Sequence, residues 1–163
     1  MSNKPVIDSS SRILPEDEAG KKEEILFQFL EFLPVGVFIM TSHGKPYYAN
    51  QKAQQLLGRG IVGGTGPDQL AETYQAYVAG TDNLYPQEKM PIVRALKGES
   101  STVEDMEIHK PEGKVMLKVV GAPIRDKEGR ILYAVAAFTD LTEIAQTIRK
   151  LYEINDMLLR SKK

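Results

Sequence analysis

The stretch AAFTDLTEIAQTIRKL, residues 136–151, excludes most folds, because a strand pattern runs into a helix pattern there with no spacer. Residues Ile131 to Thr139 are β-branched, aromatic or small in the manner of a strand, and from Ile144 onward the apolar residues fall at helical intervals. Asp140 and Glu143 form a D-x-x-E pair, in which the aspartate accepts from first-turn N–H groups while the glutamate reaches back to the Asp140 N–H. The strand is therefore expected to end, and the helix to begin, at one residue. Beyond it Leu141, Ile144, Ile148, Leu151, Asn155 and Leu158 recur at alternating steps of three and four, which is a heptad seam. An Asn at a core position costs stability and selects a two-stranded, in-register pair, so the helix over 141–163 is expected to be coiled-coil-like and to form a homodimer. The competing expectation is that it folds back over the outer face of the sheet. Arg149, Lys150, Glu153, Asp156 and Arg160 leave the apolar stripe narrow, which favours the seam.

Upstream, the chain divides readily. Residues 1–20 read as a flexible polar lead-in, and 21–33 as an amphipathic helix with Ile25, Leu26, Phe29, Leu30 and Leu33 on one face, stopped before Pro34. VGVFIMT and PYYA then form a hairpin across the SHGK turn, Asn50 caps a short helix over QKAQQLLG, and Gly58 ends it. The span from Arg59 to about Gln87 is the least regular; PDQLAETYQAYVAG within it has helical character. A helix over 88–97 turns Met90, Val93 and Leu96 inward and closes at Gly98. Three strands follow as a meander: STVEDMEIHK, KVMLKVVGAPI and ILYAVAAFT. The economical solution is an α+β fold, a five-stranded antiparallel sheet with short helices over one face. The core is expected over 34–140.

Composition narrows the function. With 163 residues, 21 basic against 22 acidic, the chain has no electrostatic footprint for nucleic acid. It contains no cysteine, which removes disulfides, thiolate metal sites and cysteine nucleophiles. The longest apolar run, FLPVGVFIM, is shorter than the roughly 20 residues of a membrane span, and the N-terminus lacks the apolar stretch of a secretory signal. A cytoplasmic location is expected.

The order LPVGVFIMTSHGKPYYANQKAQQLLG, YPQEKMPIVRALKGES and EGKVMLKVVGAPIRDKEGRILYAVAAFTDLTE resembles a PAS (Per-Arnt-Sim) domain, the sensory input module of many bacterial histidine kinases, over about residues 25 to 145. Its most specific piece is the turn marked by Pro123, Arg125 and Asp126, a strand, and then Asp140-Leu141-Thr142, which looks like the Asp-Ile/Val-Thr signature joining such domains to signalling helices. The resemblance implies a relay role for Asp140 and Thr142. It also implies an internal cavity lined by Val37, Ile39, Met106, Ile108, Leu117, Val119, Ala134, Ala136 and Phe138, with Met90, Val93 and Leu96 across from them. Glu107, His109 and Lys118 would then point outward. Such a lining is apolar and either fills a dry core or takes a small apolar ligand. Because LLRSKK lies within a helix pattern, an output domain such as a histidine kinase is expected in a longer parent chain.

Sharper chemistry finds little footing. Gly58 to Gly63 spell G-x-G-x-x-G, but a helix precedes them where a dinucleotide fingerprint needs a strand. His43 falls in a turn and His109 on an outer face, and the 88–97 helix, from which PAS-type haem proteins often draw an axial histidine, has none, so haem is disfavoured. A cysteinyl flavin is excluded by composition. Ser9, Ser10 and Ser11 lie in the lead-in, Glu16, Asp17 and Glu18 read as a solvated run, and Asp105 and Glu107 alternate as an outward face does; no metal site or enzyme is expected. The function expected is a sensory and dimerisation module, the alternative a ligand-free protein–protein adaptor.

Overall fold

The computed structural model describes residues 15–162, which divide into two compact units meeting between Pro34 and Val35. The expected flexibility of residues 1–14 lies outside the described residues. In the first unit one helix, α1 (Pro15–Phe32), begins earlier than the expected 21 and stops ahead of Pro34, which cannot continue a helix. Ile25, Leu26, Phe29 and Phe32 are exposed along it, and Leu33 is exposed just beyond its end.

The second unit carries a sheet of six strands, not five: β1 (Gly36–Thr41), β2 (Pro46–Ala49), β3 (Ala76–Val78), β4 (Ser101–Lys110), β5 (Gly113–Arg125) and β6 (Ile131–Asp140). Their spatial order is β2-β1-β6-β5-β4-β3 and every pairing is antiparallel. The sixth strand, β3, comes from the segment with helical character. That segment makes only a 3-10 turn (Pro67–Gln69) and one helical turn, α3 (Leu70–Thr73). Gln75 then adopts a left-handed conformation (φ 51°) that ends the helix, and Ala76-Tyr77-Val78 pair with the free edge of β4.

Local chemistry explains the remaining elements. Asn50, fully buried, accepts from the Val37 and Ala53 N–H groups (both 2.9 Å) and donates to the Val35 carbonyl (3.0 Å), so one side chain caps α2 (Gln51–Leu57) and pins it to β1. The helix expected over 88–97 is broken at Met90. That residue is extended, as a residue before proline prefers, and Pro91 starts α4 (Pro91–Leu96) after a separate 3-10 turn (Gln87–Lys89). In the turn before β6, Asp126 Oδ1 accepts from the Glu128 and Arg130 N–H groups (2.9 Å each); the Arg130 N–H above all holds this carboxyl below the usual range. The last helix, α5 (Thr142–Ser161), follows Leu141.

Register decides the faces. Phe38 lies opposite Ala136, and Ala136 opposite Gly121; Met40 pairs with Ala134, and Phe138 with both Gly36 and Val119. These residues share the inner face and, except for the two glycines, enter the main core cluster with Leu56, Leu57, Leu70, Ile92 and Ala95 of α2–α4. At Gly121 a Cβ would collide with the Pro91 carbonyl, so α4 rests directly on the strand there. Replacing Gly121 with Ala is therefore expected to cost about 1–3 kcal/mol of stability by forcing α4 off the sheet, measured as a lowered urea midpoint with an unchanged slope.

Candidate functional site

Between the inner face of the sheet and α2–α4 lies an apolar cavity of about 50 Å³. Six of the twelve residues expected to line it do so: Met90, Met106, Ile108, Val119, Ala136 and Phe138. Val93, Leu117 and Ala134 belong to the surrounding core without reaching the void, and Leu96 packs against that core half-buried. Val37 and Ile39 are a correction. They pair with Ala137 and Val135, one step out of phase with Ala136, and so occupy the opposite face; Phe38 is the β1 residue at the cavity. Both are nonetheless buried, which removed the alternation that would have revealed the phase.

The wall not anticipated from sequence comes from Leu57 at the end of α2 and from Leu70, Tyr74 and Ala76 in the irregular middle. Tyr74 meets Phe38 edge to face (5.7 Å between ring centres), and its hydroxyl donates to the Gly60 carbonyl (3.1 Å). Burial raises the Tyr74 hydroxyl above its ordinary pKa. The G-x-G-x-x-G segment is thus a loop tied down by a tyrosine, entered through a left-handed Gly58 that ends α2. Tyr85 is also raised, by burial and then by the Asp105 carboxylate, which accepts its hydroxyl at 2.7 Å. Among the described residues no group of three His, Asp or Glu side chains could hold a metal, and no helix is long and apolar enough to cross a membrane.

Two residues beyond the cavity wall, β6 becomes the joint. The Leu141 N–H donates to the Met116 carbonyl (2.8 Å), and the Met116 N–H donates to Thr142 Oγ1 (2.9 Å). The threonine hydroxyl thereby stands in for a backbone carbonyl and carries the β5–β6 ladder into the first turn of α5. Asp140 Oδ1 accepts from the Thr142 N–H (2.8 Å). This differs from the expected capping box: Asp140 makes an Asx-type turn over two residues, and Leu141, not Asp140, directly precedes the helix.

No residue of α5 is buried, so beyond its first turns, which flank the outer face, the helix does not pack back over the sheet. Ile144, Ile148, Leu151, Asn155 and Leu158 are exposed and Leu141 is half-buried. Tyr152, Ile154, Met157 and Leu159 are exposed as well, and the apolar band is accordingly wider than the narrow stripe expected from the charges alone. Replacing Thr142 with Val, which keeps the shape and removes the acceptor, is expected to cost about 1 kcal/mol and to speed amide exchange at Met116 and Thr142. Serine at the same position should restore both.

The comparisons agree with this geometry. A family model described as PAS domain matches residues 34–143, more than half of the chain. No curated protein matches it. Among solved structures, the chain is similar to a phage VqmA–DPO complex (20% identity, TM-score 0.57, covering 85% of this chain and 62% of that one). It is also similar to an RNA-binding Light-Oxygen-Voltage receptor (16%, 0.57, 100% and 43%) and to the PAS domain of Bordetella pertussis BvgS (16%, 0.51, 85% and 98%). The chain thus spans less than two thirds of the first two structures, and at these identities the likeness is one of fold. PAS domains are sensory, not catalytic, modules that often dimerise and link to output domains. From its sheet order, its cavity and the match over residues 34–143, the chain belongs to the PAS domain family.

Proposed function

We propose that this PAS domain is a cytoplasmic sensory and dimerisation module of a longer signalling protein, in which a change at the cavity passes along β6 and through Asp140 and Thr142 to α5. The observation that carries the reading is the paired hydrogen bonding of Thr142. Its N–H is held by Asp140 and its hydroxyl by Met116, so the start of α5 follows the β5–β6 ladder. Ala136 and Phe138 line the cavity from the strand that ends in Asp140, so a displacement there reaches the joint along one continuous backbone. A relay needs an element with two arrangements of similar energy, and a helix pair that can rotate or slip is one.

In this reading α5 pairs with α5 of a second copy through Leu141, Ile144, Ile148, Leu151, Asn155 and Leu158, and its far end leads to an output domain such as a histidine kinase. Ile144, Leu151 and Leu158 each expose more than half of their surface (55, 60 and 57%), a cost that burial against a partner helix would remove. The cavity either stays dry or takes a small apolar molecule. A volume of 50 Å³ is far below the roughly 300 Å³ of the smallest ordinary ligand sites. That same volume favours a second reading, a ligand-free adaptor whose helices do all the binding.

The relay is tested by filling the cavity. Replacing Ala136 with Leu should change amide exchange over the first turn of α5 by several-fold, and adding Thr142→Val should abolish that coupling. Unchanged exchange in α5 with a folded core would refute the relay and leave the adaptor. For the seam, Asn155→Leu should raise the dimer's resistance to dilution while allowing higher oligomers, read by light scattering. A variant that stays cleanly dimeric would remove Asn155 from the interface.

A further inference from the structure

The face of the sheet turned away from the cavity holds a second concavity, a cleft of about 480 Å³ between that face, the first turns of α5 and the loop after β3. Its chemistry is the opposite of the cavity's. Glu107 lies on the sheet wall, 8% exposed, with Oε1 2.9 Å from His109 Nε2 and 3.9 Å from Lys114 Nζ. Among the described residues Glu107 Oε2 has no hydrogen-bond partner, and it is open to solvent on the cleft side, since Ser101 Oγ alone among them is fully buried and unpartnered. Asp82 lines the loop wall, and Thr142, Gln146 and Arg149 line the helix wall. The side chains of Asp82, Gln146 and Arg149 make no hydrogen bond or ion pair among the described residues. Thr142 Oγ1 accepts from Met116, which leaves its own hydrogen free to donate.

These charges restrict the occupant. A simple anion would meet Glu107 and Asp82, and a simple cation would meet Lys114 and Arg149. A molecule with one charge of each sign satisfies both walls. The Met116 and Ala145 side chains add an apolar surface to the lining. We propose that the cleft binds a free α-amino acid with an aliphatic side chain: its ammonium goes to Glu107 Oε2 and Asp82, its carboxylate to Arg149 and the Thr142 hydroxyl, and its side chain lies on Met116 and Ala145. Arg149 offers the forked donor geometry that suits a carboxylate. Such a ligand spans the sheet and α5 and therefore biases the direction of the helix. Binding stands on the cleft alone, whereas the effect on α5 rests on the relay proposed above.

The test is a heteronuclear NMR titration of the full chain with leucine, and with isoamylamine and isocaproate, which lack the carboxylate and the ammonium group respectively. Leucine should give saturable shifts at the Asp82, Met116 and Gln146 amides, and neither control should. Arg149→Ala and Glu107→Gln, each checked for native amide dispersion, should weaken leucine binding at least about tenfold, which corresponds to 1.4 kcal/mol. Arg149 is solvent-exposed, so its variant keeps the fold. The proposal is overturned if millimolar leucine, isoleucine and valine leave these amides unmoved, or if either control binds as well as leucine. Shifts at Phe38 and Ala136 in place of the cleft, or cleft shifts that follow protein concentration alone, also overturn it. Binding that survives while α5 exchange stays constant refutes the relay and not the site.

Discussion

The rest of the domain depends on the register of β6, which hydrogen-bonds to β1 on one side and β5 on the other. That register sets Phe38, Ala136 and Gly121 in one row and Gly36, Phe138 and Val119 in the next. Large and absent side chains therefore alternate across the sheet. Where a side chain is missing at Gly121, the backbone of α4 comes into contact with the strand, and where rings stand on either side of Ala136, packing stops short and leaves a void. A slip of one residue would turn Ala134, Ala136 and Phe138 away from the helices and close both features at once.

The same strand ends in Asp140, so the packing row and the helix start share a rigid axis. Substituting the Thr142 hydroxyl for a peptide carbonyl is a small change with a large geometric effect. A backbone carbonyl at that point would continue the ladder as sheet, whereas a side-chain oxygen completes the bond and frees the main chain to turn into α5. The two faces of the sheet then divide the chemistry between them. The inner one is apolar, and the outer one gathers Glu107, His109 and Lys114 beside the helix that the joint directs.

How much of this was legible in the sequence follows from how each element is covered. On β6 the sequence shows no alternation, since Tyr133, Val135 and Ala137 are as apolar as Ala134, Ala136 and Phe138, and it is the family resemblance that puts the latter three on the inner face. Strand β1 is buried on both faces, which erases the period of two, so nothing in the sequence separates Val37 and Ile39 from Phe38 and Met40. Ala76-Tyr77-Val78 is illegible because a three-residue strand has too little pattern to outweigh the helical run before it, and the left-handed turn at Gln75 carries no glycine to announce it. The capping role expected of Asp140 and Glu143 yielded to Thr142, whose competing bond to β5 depends on a strand distant in sequence. On α5, charges at 149, 150, 153, 156 and 160 were visible, while the band formed by Tyr152, Ile154 and Leu159 beside the heptad was overlooked.

The two borders of the sheet offer little to a newcomer, one because it is short and the other because it is already paired. At one, β2 is four residues long and begins with Pro46, which has no N–H to offer a further strand. At the other, the chain doubles back on β3: Tyr85 N–H reaches the Ala76 carbonyl, Val78 N–H reaches the Asn83 carbonyl, and Tyr77 bridges to Leu84. With outer peptide groups of β3 already engaged, that edge resists growth into fibrils by strand addition.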